Sequence, residues 1–248
     1  KLFERAHRKI ELTEAGSLLL PYVKNVVEQY HAMQEVLETY TKDNNLSLNI
    51  LTIPTMINYK GFSKITEFLK RHPEFTVQLK EVESVELTYN DANEHSDTIH
   101  FARSFQAPPS SIEWLPTETD DFVAVLPKNH PLASKKKLDL SELKKENFLL
   151  LGPTTNLYQP VLDLCREAGF EPRISYKGSR TDLIINMIAN DMGIAIVMEK
   201  TVKNLLKENT VILPISPTKE SYLAFTRKIG EHSLASDTFW EYLKQEEN

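Results

Sequence analysis

The feature that most limits what this chain can fold into is a seven-residue apolar repeat near its start. Alternating steps of four and three from Leu12 reach Gly16, Leu19, Val23, Val26, Tyr30, Met33, Leu37 and Tyr40, and all but Gly16 are apolar. A spacing of 3.5 is that of a coiled-coil seam, whereas a straight helix drifts away from it. The spacing predicts a helix over 13–40 with a dimer seam at Leu19, Val23, Val26, Tyr30, Met33 and Leu37. The competing reading is an amphipathic helix packed on its own domain. Thr13 suits the N-cap and Glu14 the positive end of the helix dipole. Pro21 should kink the helix. The polar run Thr41-Lys42-Asp43-Asn44-Asn45 reads as a hinge.

From Leu46 onward strands alternate with helices. Strands are expected at 48–53, 75–82, 98–102, 122–126, 148–151, 173–176, 193–198, 211–215 and 222–225, and helices at 60–71, 156–168, 181–190 and 236–244. Pro54, His72-Pro73 and Gly152-Pro153 are the breakers between them. Strands separated by helices predict an α/β fold with largely parallel sheets covered on both faces.

Composition narrows the function. The chain has 248 residues, is 41% hydrophobic and 26% charged, and carries a net charge of −6. It can bury a sizeable core, and its acidic balance argues against a body that coats nucleic acid or an anionic membrane. Within residues 1–12, however, Lys1, Arg5, Arg8 and Lys9 outnumber Glu4 and Glu11. The chain opens on Lys1 inside a charged stretch, and reads as starting part-way through a longer protein. No apolar run is long enough to span a membrane, and no secretory signal is visible. One cysteine, Cys165, excludes an intrachain disulfide, and its apolar neighbours mark it as a core residue.

Catalytic signatures are missing. The chain has no G-x-S-x-G, P-loop or G-x-G-x-x-G motif, and its seven histidines lack metal-ligand spacing. No cofactor or metal is expected. The run Lys135-Lys136-Lys137 could hold a phosphate, but reads first as solvated surface.

The stretch Leu2-Phe3-Glu4-Arg5-Ala6-His7-Arg8-Lys9-Ile10-Glu11-Leu12-Thr13-Glu14-Ala15-Gly16 resembles the wing and linker start of LysR-type transcriptional regulators, where L-F-x-R precedes L-T-x-A-G. Later segments agree. The strand ending at Pro54-Thr55, the helix closed by His72-Pro73 and the strand Val77 to Glu81 are similar to the start of that family's effector-binding domain. The segment from Phe122 to Leu132 resembles its second lobe's opening, and Ala189 to Val197 its helix, glycine and buried strand. One departure stands out: the family's G-x-x-D-x-A-I is represented by Glu94 to Phe101, without the glycine and with His100 and Phe101 in place of small residues.

The resemblance implies a remnant of a winged helix-turn-helix over 1–12, a linker and dimerisation helix with its hinge over 13–45, and a two-lobe, periplasmic-binding-protein-like domain over 46–248. Lobe I would take about 46–118 and 219–248, and lobe II about 119–218. It implies a cytoplasmic homodimer or homotetramer that meets promoter DNA through a head lying before Lys1, with wing contacts at Arg8 and Lys9. An effector, an anion or polar metabolite, would sit between the lobes. Ligands of open α/β sheets bind beyond the carboxyl ends of strands, so the candidate contacts are Thr55, Met56, Ser84, His100, Thr154, Thr155, Arg180, Thr181 and Val197. Helix capping explains Thr181 equally well, and an ordinary surface arginine explains Arg180. The rival functions are a transporter's solute-binding protein and an enzyme on the same two-lobe fold.

Overall fold

The computed structural model describes residues 1–6, 9–84 and 98–245. Residues 1–46 and 47–248 form two separate compact units. The first unit holds strands β1 (Phe3–Ala6) and β2 (Lys9–Leu12), paired antiparallel, and helix α1 (Glu14–Asn45). Thr13 caps α1: its Oγ1 accepts from the Gly16 N–H at 3.1 Å and donates to the Lys1 carbonyl at 3.0 Å. Gly16 is required by packing, since a Cβ there would lie 2.1 Å from the Leu2 carbonyl oxygen.

Helix α1 runs unbroken through Pro21 and through Thr41 to Asn45. The expected hinge at 41–45 is therefore helical, and no glycine or proline in that run opposes it. Leu19, Val23, Val26, Tyr30 and Met33 are all exposed on the single chain. Leu37 belongs to α1 and Lys9 to β2, but their side chains lie outside the described residues, as does the whole of Arg8.

The second unit is the two-lobe α/β body. In lobe I, β3 (Ser47–Thr52) lies parallel between β4 (Thr76–Glu81) and β5 (Thr98–Ser104). Strand β12 (Glu220–Lys228) runs antiparallel to β5. Helices α2 (Lys60–Arg71) and α6 (Leu234–Gln245) pack a core that includes Phe68, Phe101, Phe225, Phe239 and Trp240. Ile65 and Phe68 sit three residues apart on the inward side of α2, and Phe68 meets Phe239 edge-on at 5.0 Å.

Strand β6 (Ile112–Pro127) joins the lobes. Its first part pairs with β12, and its last residues, Phe122 to Pro127, pair with β10 (Ala195–Met198) and β11 (Thr210–Ser216). All three pairings are antiparallel, so the sheet is mixed where a largely parallel one was expected. The reason is the crossover itself: a strand shared between lobes meets returning strands. In lobe II, β7 (Leu138–Asp139) adds to β11 and β8 (Asn147–Leu151) pairs with β9 (Arg173–Gly178), both in parallel. Helices α3 (Tyr158–Glu167), α4 (Thr181–Ala189) and the short α5 (Glu199–Lys203) cover this lobe. Among the described residues, no helix is long and apolar enough to cross a membrane.

Candidate effector site

The parallel strands of both lobes end at one cavity of about 190 Å³. Lobe I contributes Ile53, Pro54 and Thr55 after β3, Glu83 and Ser84 after β4, and Arg103 near the end of β5. Lobe II contributes Leu151 at the end of β8, Thr155, Asn156 and Leu157 before α3, and Ser179, Arg180 and Thr181 at the start of α4. Hydroxyls, an amide and two helix N-termini thus face one space, and helix N-termini favour negative charge.

Two hydrogen bonds tie the lobes across this cavity. The Asn156 backbone N–H donates to Ser84 Oγ at 2.8 Å, and Asn156 Nδ2 donates to the Arg103 carbonyl at 2.9 Å. Thr155 Oγ1 donates to the Gly152 carbonyl at 3.0 Å, which fixes its rotamer. Arg180 is mostly exposed and grips Asp182 through Nε and Nη2. That hydrogen-bonded pairing raises the Arg180 pKa and lowers that of Asp182. Arg180 holds the N-cap position of α4 without a side-chain cap bond, and Thr181 is the first helical residue.

Of the residues singled out in the sequence, Thr55, Ser84, Thr155, Arg180 and Thr181 line the cavity. Met56, His100, Thr154 and Val197 do not. Met56 is buried in the lobe I core and Val197 in the sheet of lobe II. His100 is buried on β5 one residue out of phase with Ile99, Phe101 and Arg103, so its side chain takes the other face of the strand. Thr154 is exposed on the loop before Thr155. Arg103 and Asn156 are additions that the sequence reading lacks. The signal for Arg103 was available: a charged residue in phase with Ile99 and Phe101 points where that face points.

Behind the cavity wall Arg103 enters a buried polar cluster. Its Nη2 lies 3.3 Å from Asp120 Oδ2 on β6, and its Nη1 donates to Ser221 Oγ. Nη2 also donates to the Tyr59 hydroxyl, which donates in turn to Asp120 Oδ2 at 2.8 Å and lies 2.8 Å from Thr201 Oγ1. The Lys200 backbone N–H donates to Asp120 Oδ1 at 3.1 Å, while Lys200 Nζ and the Lys60 N–H both reach Glu118. Burial above all pushes the Tyr59 phenol pKa far up, which keeps it a neutral donor. The crossover strand is thus held from lobe I by Tyr59, Lys60 and Arg103, and from lobe II by Lys200, while Thr201 meets the Tyr59 hydroxyl. Among the described residues, no group of three histidine, cysteine or carboxylate side chains could hold a metal ion.

Comparison with known proteins places this arrangement. Residues 42–248 match the family described as LysR substrate binding domain. The chain is 26% identical to the transcriptional dual regulator GltC of Bacillus subtilis (strain 168), over 98% of this chain and 82% of that protein. Among solved structures, the CcmR regulatory domain of Synechocystis PCC6803 in complex with 2-PG superposes with a TM-score of 0.67, at 21% identity over 80% of this chain and 96% of that one. A full-length BenM mutant superposes with a TM-score of 0.75, at 19% identity over 99% of this chain and 81% of that one. At these identities the two structures establish a shared fold.

Proposed function

The chain belongs to the LysR family of transcriptional regulators, whose substrate-binding domain it carries over residues 42–248, and from that premise we propose that it is the sensing and dimerising part of a cytoplasmic regulator that responds to a small effector and does no catalysis. The observation that carries this reading is the cavity itself: both lobes deliver strand ends and helix N-termini to it, and Asn156 bridges it to Ser84 and Arg103. Its volume of about 190 Å³ lies below the roughly 300–1,000 Å³ of drug-sized sites, which suits a compact metabolite. The converging N-termini of α3 and α4 favour an anionic group, and the similar CcmR regulatory domain is in complex with 2-PG. Thr55, Ser84, Thr155, Arg180 and Thr181 are the proposed contacts, joined by Asn156.

The mechanism is a biased equilibrium. An effector that binds better when Asn156 reaches lobe I shifts the population toward the closed lobes. Arg103 joins that wall to Asp120 on the crossover strand: its carbonyl accepts from Asn156 and its guanidinium holds Asp120, so closure and the strand's anchoring share one residue. Residues 1–12 are read as the edge of a winged DNA-binding head, 13–45 as the linker helix and 46–248 as the effector domain. Lobe I is assigned 46–118 and 219–248, and lobe II 119–218. Promoter DNA and a second copy of the chain are the macromolecular partners.

A thermal-shift screen of small carboxylates and phosphorylated acids, 2-PG among them, tests the reading. A ligand at one hundred times its dissociation constant adds about 2.7 kcal/mol. Asn156→Ala and Arg180→Ala should each weaken that ligand, and unchanged affinity in both would remove the site. Turnover of a screened compound would favour the enzyme reading, and a monomer at micromolar concentration the solute-binding one.

A further inference from the structure

We propose that lobe II carries a lysine face, formed by Lys136, Lys137, Lys144 and Lys145, that grips the phosphate backbone of duplex DNA without reading its sequence. This rests on the reading that the protein works on DNA. It assigns a contact surface to the sensing body, distinct from the wing.

The face is built around a capped turn. Leu138, Leu140 and Leu143 are buried and pin the segment to the lobe II core, while the lysines on either side are exposed. Asp139 caps the 3-10 turn Leu140–Leu143, and Glu142 reaches back to the Asp139 N–H at 3.1 Å. Glu142 also pairs with Lys135, which brings the run 135–137 beside the turn that leads into Lys144 and Lys145. Glu146 lies 3.5 Å from His130 Nε2, and His130 Nδ1 accepts from the Leu132 N–H at 3.2 Å.

Of the acids in the segment, only Glu142 pairs with a lysine. Asp139 serves the cap, Glu142 the cap and Lys135, and Glu146 His130. Among the described residues, Lys136, Lys137, Lys144 and Lys145 have no carboxylate partner within ion-pair distance. Segment 135–146 thus carries five lysines against three carboxylates, a local excess of positive charge on a chain whose net charge is −6. A charge pattern opposed to that of the whole molecule is what a local polyanion contact requires.

The chemistry selects the polyanion. Protein interfaces are depleted in lysine and anchored by aromatic side chains and arginine, and this face offers neither. Single-stranded nucleic acid would need aromatic platforms for stacking. Lysines act as point charges on long stems, which suits the regularly spaced phosphates of a duplex and carries no base readout.

The test measures binding of this chain to a random-sequence duplex of about 40 base pairs, long enough for several phosphate contacts, as salt is varied. Each neutralised phosphate contributes about −0.9 to the slope of log K against log salt. Replacing Lys136, Lys137, Lys144 and Lys145 by glutamine should flatten that slope by about 3 to 4. Glutamine at Lys70, Lys80, Lys203 and Lys207, which are exposed elsewhere on the body, should leave it in place. Equal losses from both sets, or no duplex binding by the unaltered chain at low salt, overturn the proposal. Capture of polyglutamate but not of duplex overturns the assignment to DNA and points to an acidic protein. Effector thermal shifts measured on the same quadruple variant report separately on the sensing function. They should be unchanged, so this face and the cavity can fail independently.

Discussion

Arg103 and Asp120 form an ion pair at 3.3 Å with both side chains almost fully excluded from water, 2% and 1% exposed, where the cavity wall meets the strand that joins the lobes. Such a pair repays its desolvation only while every partner is present. Asp120→Ala leaves the Arg103 guanidinium buried without its counter-charge and takes the acceptor from Tyr59 and the Lys200 N–H. The expected loss is about 3–5 kcal/mol in urea unfolding. Replacing both residues with apolar side chains of similar volume should recover much of that loss. A loss of under about 1 kcal/mol, the level of an exposed pair, would show that water reaches Asp120.

Asp121, the next residue, faces Glu220 across the β6–β12 ladder. Burial, and then the charges of Glu220, Asp120 and Glu199, hold its carboxyl above the ordinary value of 3.8. The folded protein therefore binds this proton more tightly than the unfolded chain does. The associated stability is complete below the unfolded value and is lost as pH rises through the folded one. At neutral pH the ionised Asp121 works against folding. Asp121→Asn should raise Tm at pH 7, with the gain shrinking as pH falls toward about 4 and absent below it. A gain independent of pH would show that charge is not its source.

Periodicity made the regular parts legible. The apolar spacing of α2 yields Lys60–Arg71 to the residue, because Ile65 and Phe68 must share one face and His72-Pro73 cannot continue the helix. Strand β6 was legible only from Phe122, since Thr117-Glu118-Thr119-Asp120-Asp121 has no apolar residue to mark a buried strand. Glu118 and Asp120 are tolerated in a strand because Arg103, Tyr59, Lys60 and Lys200 satisfy them from distant parts of the chain, and local pattern does not report such partners. The cavity was half legible for a related reason. Strand ends locate Thr55, Ser84 and Thr155, but which neighbouring side chain turns inward depends on strand phase, and that separates Arg103 from His100.

Gly193 lies between α4 and β10 at φ +153°, where an added Cβ would stand 2.4 Å from the Asn147 carbonyl oxygen. That carbonyl is fixed by accepting from the Ile194 N–H at 2.9 Å, so it has little room to yield. Gly193→Ala should cost at least about 1–3 kcal/mol from the backbone conformation alone. A Tm equal to that of the unaltered chain would mean that the β8–β10 junction relaxes freely.

Cys165 lies on α3 within the lobe II core, and burial, with a smaller effect from Glu171, pushes its thiol up to about 12. Only the thiolate attacks disulfide reagents, and at pH 8 roughly one thiol in ten thousand would be ionised. Native protein should react with a chromogenic disulfide far more slowly than protein in denaturant, and an effector should not speed the reaction. Rapid native reaction would show that α3 opens readily and would make Cys165 a candidate redox site.

Leu19, Val23, Val26, Tyr30 and Met33 repeat along α1 with exposures from 44% to 69%, which leaves an apolar stripe in water on a lone chain. Such stripes mark association surfaces, and a 3.5-residue spacing fits a second helix of the same kind. Val26 is the most exposed of these positions, at 69%, so its replacement removes no packing within the chain. Val26→Asp would place two carboxylates near each other in a paired seam and shift a dimer toward monomer by tenfold or more in dissociation constant, about 1.4 kcal/mol. Light scattering over micromolar concentrations reads this directly, while an unchanged Tm for the effector body would show that only association was lost. A dimer of undiminished strength would move the interface off the 19–33 seam and onto another surface of the chain.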